Sequence, residues 1–292
     1  MTPKEIKHIQ ELINIAVVDP NHTGIKQLNV LSADADMDGW VSNGDVDTIA
    51  FKLVKAYNLG YGIPEHDGEL HLYEHLKEKI NVLVDAGARD DTYFLTESHT
   101  EYHLFEPDSI NLAGLKENLK NVHKDINVKV NDVGLGDKTG TYKFYDSEGR
   151  NGTFCPPVQI EGLECPSNIS YNLIRLDDYA KENKIEHVDF LKIDVEGYEL
   201  EVLKGAGDLL YNTNYVQFEY ANTFQKAGIT LKEVCQHLHK FGLIHFYVVC
   251  TNGLIKLDSY HDHYMMMNVL AARDIEELKE IINISTLYPI YN

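Results

Sequence analysis

Apolar residues recur along the chain with two different periods. Near the N-terminus they follow helical spacing, first over 6–17 and again over 46–57. From residue 81 onwards, short apolar runs alternate with amphipathic helical stretches, a pattern typical of βαβ units around a mainly parallel sheet. We therefore predict an α/β fold: a Rossmann-like doubly wound sheet over 76–292, preceded by a small helical, EF-hand-like module over 1–75.

Seven apolar runs are predicted as strands of this sheet: 81–87, 102–106, 127–132, 188–194, 215–220, 243–249 and 265–272. Helices are predicted after Asp108, from about Tyr198 and near 230–241. The last two strands have no helix signal between them, so we expect them to pair antiparallel at one edge of the sheet. Residues 140–176 break the alternation and are predicted to be extra strands and a loop inserted into the sheet domain.

The net charge of the chain limits the classes of ligand and partner that it can be expected to bind. The 292 residues include 26 Lys and Arg against 46 Asp and Glu, a formal net charge of −20. Such a chain is poorly suited to nucleic acid or to an anionic membrane surface, and it suits cationic ligands, metal ions among them. No apolar run reaches 18 residues, and the start lacks the apolar stretch of a secretory signal. The four cysteines form no CxxC pair, so we expect a cytoplasmic protein with reduced cysteines.

The predicted strands end in residues that suit a nucleoside-type ligand. Parallel sheets bind ligands at the carboxyl ends of their strands. The first strand ends at Gly87, and Glu106 ends the second, 19 residues later, where an acid can accept two hydrogen bonds from a ribose diol. Only one glycine of the GxGxxG cradle for a dinucleotide pyrophosphate is present, which disfavours a nicotinamide cofactor. S-adenosylmethionine carries no phosphate and does not need that cradle.

Several blocks resemble the FkbM family of S-adenosylmethionine-dependent methyltransferases. They are LKIDVEGYELEVLKGA at 191–206, LDDY at 176–179, LFEPD at 104–108 and LGDKTG at 135–140. The resemblance covers about 80–272 and implies a class I methyltransferase type of fold that O-methylates hydroxyls of sugars, glycans or related small molecules. It also implies cofactor contacts at the strand ends and a reaction centre at Asp194. The implied cofactor-binding residues are Asp85, Ala86, Gly87, Ala88, Glu106, Pro107, Asp132, Val133, Gly134 and Asp194.

The first loop departs from the family pattern. It reads DAGARDDTY, with Arg89 and Asp91 where the family has Asn and Gly. The 14 residues from 88 to 101 leave space for one or two helical turns before the next strand. We therefore expect a more open cofactor pocket on this side, with weaker affinity.

Methyl transfer to a hydroxyl needs an in-line acceptor oxygen and a group that takes its proton. A positioned general base contributes about 10²–10⁴ in rate. Four candidates stand at strand ends: Asp194, Glu196, Glu219 and His245. Asp194 follows an apolar run, so partial burial is expected to raise its pKa. Alternatively, Asp194, Glu196 and Glu219 could hold a divalent metal such as Mg²⁺, which prefers oxygen ligands.

An acidic stretch in the N-terminal module fits a twelve-residue calcium loop. Oxygen ligands fall at Asp34, Asp36, Asp38, the Trp40 carbonyl and Asp45, and Gly39 stands where the turn is sharp. The last ligand is Asp rather than Glu, as in dockerin-type loops, which this stretch resembles. A solvated acidic turn without calcium is the other interpretation.

Two functions follow as hypotheses. The first is an S-adenosylmethionine-dependent O-methyltransferase acting on a sugar, glycan or related hydroxyl. The second is a calcium-responsive, dockerin-like interaction protein whose methyltransferase-like domain is inactive, an alternative that the unusual first loop keeps open.

Overall fold

The computed structural model describes residues 68–147, 151–155, 169–250, 253–257, 260 and 266–283. The predicted calcium loop, with Asp34, Asp36, Asp38, Trp40 and Asp45, lies outside these residues. So does the rest of the predicted N-terminal module up to residue 67.

Six α-helices and thirteen strands make up the described residues. The helices are α1 Glu69–Leu76, α2 Ser109–Asn118, α3 Leu176–Asn183, α4 Glu199–Ala206, α5 Asn222–Ala227 and α6 Leu231–His239. The strands are β1 Val82–Ala86, β2 Glu101–Phe105, β3 Asn127–Asn131, β4 Gly134–Leu135, β5 Gly140–Ser147, β6 Asn151–Thr153, β7 Ile169–Ile174, β8 Val188–Ile193, β9 Thr213–Tyr220, β10 His245–Cys250, β11 Gly253–Lys256, β12 Met267–Ala272 and β13 Ile282–Asn283. Short 3-10 helices cover Lys77–Lys79, Leu119–Asn121, Gly207–Asn212 and Glu276–Leu278.

Nine strands form one sheet in the order β13-β11-β10-β12-β9-β8-β1-β2-β3. Strands β9, β8, β1, β2 and β3 are parallel, and β12 is antiparallel both to β9 and to its other neighbour, β10. The predicted parallel sheet and antiparallel pair are thus confirmed. The pair is not at the edge, however, because the short strands β11 and β13 lie outside it. The sequence signal of such short strands is too weak to separate them from loops.

Helices follow the parallel strands because polar residues cap their first turns. The Asp108 carboxylate accepts hydrogen bonds from the backbone N–H groups of Ile110 and Asn111, which starts α2 directly after β2. A reciprocal capping box between Thr230 and Glu233 starts α6. With both faces covered, every residue of β8 is buried, as expected for a central strand of a parallel sheet.

Apolar side chains alternate between the two faces of the sheet and form two cores. In β8, Leu191 and Ile193 belong to one core and Phe190 to the other. Lys192 shares the face of Phe190 and is only 4% exposed. This buried lysine breaks the apolar pattern of its strand, and its partners lie at the carboxyl end of the sheet.

Helix α1 packs on the sheet domain. Its Leu72, Tyr73 and Leu76 belong to the same core as Phe190, and the Gln217 amide of β9 donates a hydrogen bond to the Glu69 carboxylate. The predicted boundary between 75 and 76 falls at the end of this helix. We therefore place the start of the sheet domain at or before Glu69.

The connection between β1 and β2 holds turns instead of the one or two helical turns expected from its length. Phe94 and Leu95 of this connection are buried, and the Phe94 ring lies 4.9 Å from that of Tyr73. Together with α1, these side chains cover the face of the sheet where a crossover helix would otherwise pack.

The inserted region contains extra strands, as predicted, but together with β4 they form a separate second sheet in the order β4-β7-β5-β6. It stands beside the carboxyl ends of β1 and β8 and supplies one wall of the cleft described below. Among the described helices, none has the length and apolarity needed to span a membrane.

Candidate active site

A cleft that is open to solvent lies at the carboxyl ends of the parallel strands. The sheet edge contributes one side, and β5 and the β6 region contribute the other. The lining residues are Gly87, Arg89, Glu106, Pro107, Asn111, Gly134, Leu135, Phe144, Gly152, Phe154, Asp194, Val195 and Glu196.

Gly87 ends β1 in a left-handed conformation with φ of +87°. A Cβ atom at this position would lie 1.9 Å from the Asp194 carbonyl oxygen, a distance that no side chain tolerates. The backbone of Asp194 is held against β1 because its N–H donates to the Ala86 carbonyl at 2.9 Å. The glycine is therefore required first by the packing of two strand ends, and this packing brings Asp194 into the cleft.

Glu106 ends β2 with a carboxyl group that is almost completely buried. One oxygen accepts the N–H of Arg89 at 2.9 Å and the other accepts the N–H of Asp108 at 2.7 Å. Burial raises the pKa of Glu106 to about 7, against the lowering effect of these two N–H donors. Each carboxylate oxygen has a further lone pair, so the group can still accept hydrogen bonds from a ligand in the cleft.

Lys192 stands between two carboxylates beneath the cleft. Its Nζ lies 3.6 Å from Asp85 Oδ1 and 3.6 Å from Asp194 Oδ2. Burial alone would lower the pKa of Lys192, but the surrounding carboxylates, Asp85 first, hold it well above its ordinary value. Burial raises the pKa of Asp85 to about 6. The ammonium is thus a fixed positive charge beside both aspartates, and it opposes the rise in the pKa of Asp85.

The turn after β8 carries the second acidic group of the cleft. Glu196 has a φ of +56° although it is not a glycine, a strained conformation that persists only where the surroundings impose it. Glu199 imposes it in part, because its fully buried carboxyl accepts the N–H groups of Val195 and Gly197. Burial raises the pKa of Glu199 to about 8, so this group is mainly protonated at neutral pH.

Three carboxyl groups converge at this point: Asp194, Glu196 and Glu219. One oxygen of each lies within 4.8 Å of the others. Burial, and then the charge of Asp194, raise the pKa of Glu196 to about 7 and that of Glu219 to about 10. Asp194, with a side chain 39% exposed, is the member that lies beside Lys192. The arrangement can therefore hold one ionised carboxylate beside protonated ones, or a divalent cation.

Aromatic side chains form the wall opposite the acids. The Phe154 ring lies 5.1 Å from that of Phe144 and 5.8 Å from that of Tyr198. The Phe144 ring also contacts Tyr171, whose hydroxyl donates to the Asp108 carboxylate at 2.9 Å. This cluster ties the second sheet to the start of α2 and gives the cleft one flat apolar side.

The structure brings most predicted residues to the cleft, but not all. Gly87, Glu106, Pro107, Gly134, Asp194 and Glu196 line it, and Glu219 touches its acidic end. Ala86 and Ala88 are buried in the two cores. Asp85 is buried beside Lys192 rather than in the lining. Asp132 is exposed and Val133 packs on one of the cores.

His245 is placed away from the other candidate bases. It pairs with Ala272, and Ala272 pairs with Tyr215 near the start of β9. Because β12 is antiparallel both to β9 and to β10, β10 runs parallel to β9, and its first residue lies at the amino ends of the strands, opposite to Asp194. His245 begins its strand rather than ending it, so we exclude it from the site.

Three residues that shape the site are not predicted from the sequence. Lys192 could have been noticed, because it is a lysine inside an apolar strand. Glu199 gives a weaker indication, because it is only an acidic residue at the start of a helix. Phe154 had none, because its position depends on how the inserted sheet folds back over the cleft.

A parallel sheet with a glycine bend after its first strand, an acid after the second and an acidic turn after β8 defines a Rossmann-like methyltransferase. The family model described as methyltransferase FkbM domain matches residues 85–244, more than half of the chain. The chain therefore belongs to this family, as the resemblance implied.

Two characterised relatives carry related names. The chain is 24% identical over 180 residues to 2-O-methyltransferase NoeI of Sinorhizobium fredii (strain NBRC 101917 / NGR234), covering 56% of this chain and 73% of the relative. It is 28% identical over 163 residues to hexuronic acid methyltransferase AglP of Haloferax volcanii, covering 55% of this chain and 62% of the relative. The solved structure of methyltransferase FkbM from Methylobacillus flagellatus KT aligns with a TM-score of 0.39 at 14% identity, over 78% of this chain and 60% of that chain.

The family and these relatives confirm the prediction of an O-methyltransferase. They do not favour the alternative of an interaction protein with an inactive domain.

Proposed function

We propose that this protein transfers a methyl group from S-adenosylmethionine to a hydroxyl of a sugar or glycan. The observation that carries the proposal is that the side chains of Glu106 and Asp194 line the same cleft. The names of two relatives, a 2-O-methyltransferase and a hexuronic acid methyltransferase, support a sugar hydroxyl as the acceptor.

The donor set of the cleft fits the cofactor. Glu106 offers acceptor lone pairs to a ribose diol, and Pro107 and Gly134 lie beside it in the lining. Asp85 Oδ1 is buried without a hydrogen-bond partner, and the excess of acids around it suits a cationic ligand. When bound, S-adenosylmethionine supplies an electrophilic methyl group on a positively charged sulfur.

Asp194 is the residue that we propose takes the proton of the acceptor hydroxyl. Its carboxylate lines the cleft, and the Lys192 Nζ lies 3.6 Å from its Oδ2 atom. Glu219 is protonated at neutral pH because burial and the charge of Asp194 raise its pKa to about 10. One oxygen of the protonated Glu219 lies within 4.8 Å of an oxygen of Asp194, so Glu219 adds no negative charge beside the proposed base. Glu196, whose pKa is raised to about 7, is divided between its two forms.

A divalent cation bound by Asp194, Glu196 and Glu219 is the second candidate arrangement, favoured by the convergence of their oxygens within 4.8 Å. Hard cations such as Mg²⁺ take oxygen ligands of this kind. A chelator distinguishes this metal site from proton transfer to Asp194, because it would abolish the activity only if the metal is required.

Methyl transfer tests the proposal directly. The protein is incubated with methyl-labelled S-adenosylmethionine and a panel of free and glycosidically linked hexoses, and label in the sugar is measured. We expect incorporation that a chelator leaves unchanged. Activity lost on chelation and restored by Mg²⁺ would assign the metal arrangement instead. Absence of label from every sugar, with label in a non-sugar hydroxyl, would contradict the acceptor class.

For the N-terminal loop we propose Ca²⁺ binding by Asp34, Asp36, Asp38, the Trp40 carbonyl and Asp45. The support is the ligand spacing of the sequence alone. Calcium is expected to raise the melting temperature of the full chain, and Asp36→Ala to remove that rise. Mg²⁺ at the same concentration serves as the control. Equal calcium responses of the variant and the wild type would show that the loop is a solvated turn.

A further inference from the structure

We infer that the ring methylated by this protein carries no carboxylate: the cleft selects a neutral or amino hexose over a hexuronate. The inference rests on the proposed function and concerns the charge of its acceptor. Three of the described residues that line the cleft are acidic, Glu106, Asp194 and Glu196, and one is basic, Arg89.

Arg89 is poorly placed to compensate an additional carboxylate. Its Nε lies 3.6 Å from Asp90 Oδ1, and its side chain is 50% exposed, so its charge is already shared and screened by water. Lys192 is the nearest buried cation, but its side chain is only 5% exposed and stands between Asp85 and Asp194. Neither cation in this part of the structure offers an unshared charge to a ligand.

Further acids stand behind the lining. Glu219 has an oxygen within 4.8 Å of Asp194 and Glu196, and the fully buried Glu199 has one oxygen, Oε2, without a hydrogen-bond partner. A ligand carboxylate placed against the acidic end would therefore meet carboxyl groups from two strand ends. The ligand carboxylate would also be brought beside the Asp194 carboxylate, and this juxtaposition of like charges disfavours binding.

The acidic end of the cleft is already crowded with carboxyl groups. Asp194 shares it with Glu196 and Glu219, and one oxygen of each lies within 4.8 Å of the others. A hexuronate entering the same space would lose water beside the same aspartate. It would either bind weakly or have to acquire a proton that its low pKa disfavours. A hydroxymethyl group has no such cost, and the ammonium of an amino sugar would be attracted.

The test compares matched acceptors. Values of kcat/KM are measured for a hexose, the corresponding hexuronate, its neutral amide and the amino hexose, all of one ring stereochemistry. We expect the hexuronate to react at least tenfold less efficiently than the hexose, and the amide to recover most of that loss. Binding of the same sugars, measured by calorimetry with S-adenosylhomocysteine present, should follow the same order.

Two variants locate the residue that discriminates between the sugars. Glu196→Gln removes a carboxyl group from the lining of the cleft and should reduce the preference for hexose over hexuronate. Glu186→Gln, at an exposed position before β8, should leave that preference unchanged.

Two outcomes would overturn the inference while leaving the proposed function intact. One is a hexuronate that reacts as well as, or better than, the hexose. The other is a hexuronate activity that Arg89→Gln selectively abolishes, because Arg89 would then be its receptor. Failure to methylate any of these sugars would overturn the proposed function together with the inference.

Discussion

Replacing Asp194 by Asn is expected to lower kcat for methyl transfer by about 10²–10⁴-fold, the range for loss of a general base. The amide keeps the shape of the side chain but cannot accept the proton of the acceptor hydroxyl. Affinity for S-adenosylmethionine should change far less than kcat, because the Glu106 end of the cleft is intact. Initial rates give kcat, and calorimetric titration of the donor gives the affinity.

His245→Gln is the matched control for this experiment. The sequence places both residues at strand ends as candidate bases, but His245 is the first residue of β10, which runs parallel to β9, and therefore lies at the opposite edge of the sheet. The control should therefore retain wild-type kcat. If Asp194→Asn keeps more than about a tenth of the wild-type rate, the proton goes to another group and the proposed role of Asp194 is wrong. A fall in kcat for His245→Gln would instead contradict the placement of that residue.

The strands and the acidic strand ends could be predicted because their signals are local. A run such as VDFLKI has the apolar density of a strand buried on both faces, and the residue after it must then stand at the carboxyl edge. Glu106 and Asp194 follow from that rule alone, without knowledge of the order of the strands. For this reason the sequence predicts the ligand-binding edge of the sheet correctly, although it does not predict the two outermost strands, β11 and β13.

The parts that could not be predicted depend on contacts distant in sequence. The direction of β10 is set by its pairing with β12, so the edge at which His245 lies was not encoded in its own segment. Helix α1 replaces the missing crossover helix, with Tyr73 packed on Phe94, and neither segment indicates the other. The role of Lys192 likewise needs the register of β1 against β8, which places it opposite Asp85.

Gly87→Ala is expected to have the largest effect on stability of any single methyl group added at the site. The left-handed backbone at φ of +87° costs an alanine roughly 1–2 kcal/mol. In addition, its Cβ would lie 1.9 Å from the Asp194 carbonyl oxygen, so the turn after β8 must move away from β1. We expect the free energy of unfolding to fall by at least about 3 kcal/mol. Methyl transfer in the protein that remains folded should fall at least tenfold, because the displaced turn carries Asp194 and Glu196.

The variant Gly228→Ala is the control for Gly87→Ala, because it introduces the same kind of backbone strain without a steric clash. Gly228 is also left-handed, with φ of +72°, but a Cβ there would have nothing within 4 Å. Urea denaturation of the two variants is therefore expected to show a loss of about 1–2 kcal/mol for Gly228→Ala and a clearly larger one for Gly87→Ala. Equal losses of stability in the two variants would mean that the turn after β8 moves away from the added methyl group without loss of stability. The close approach of Asp194 to the end of β1 would then not be what fixes the carboxylate in the cleft.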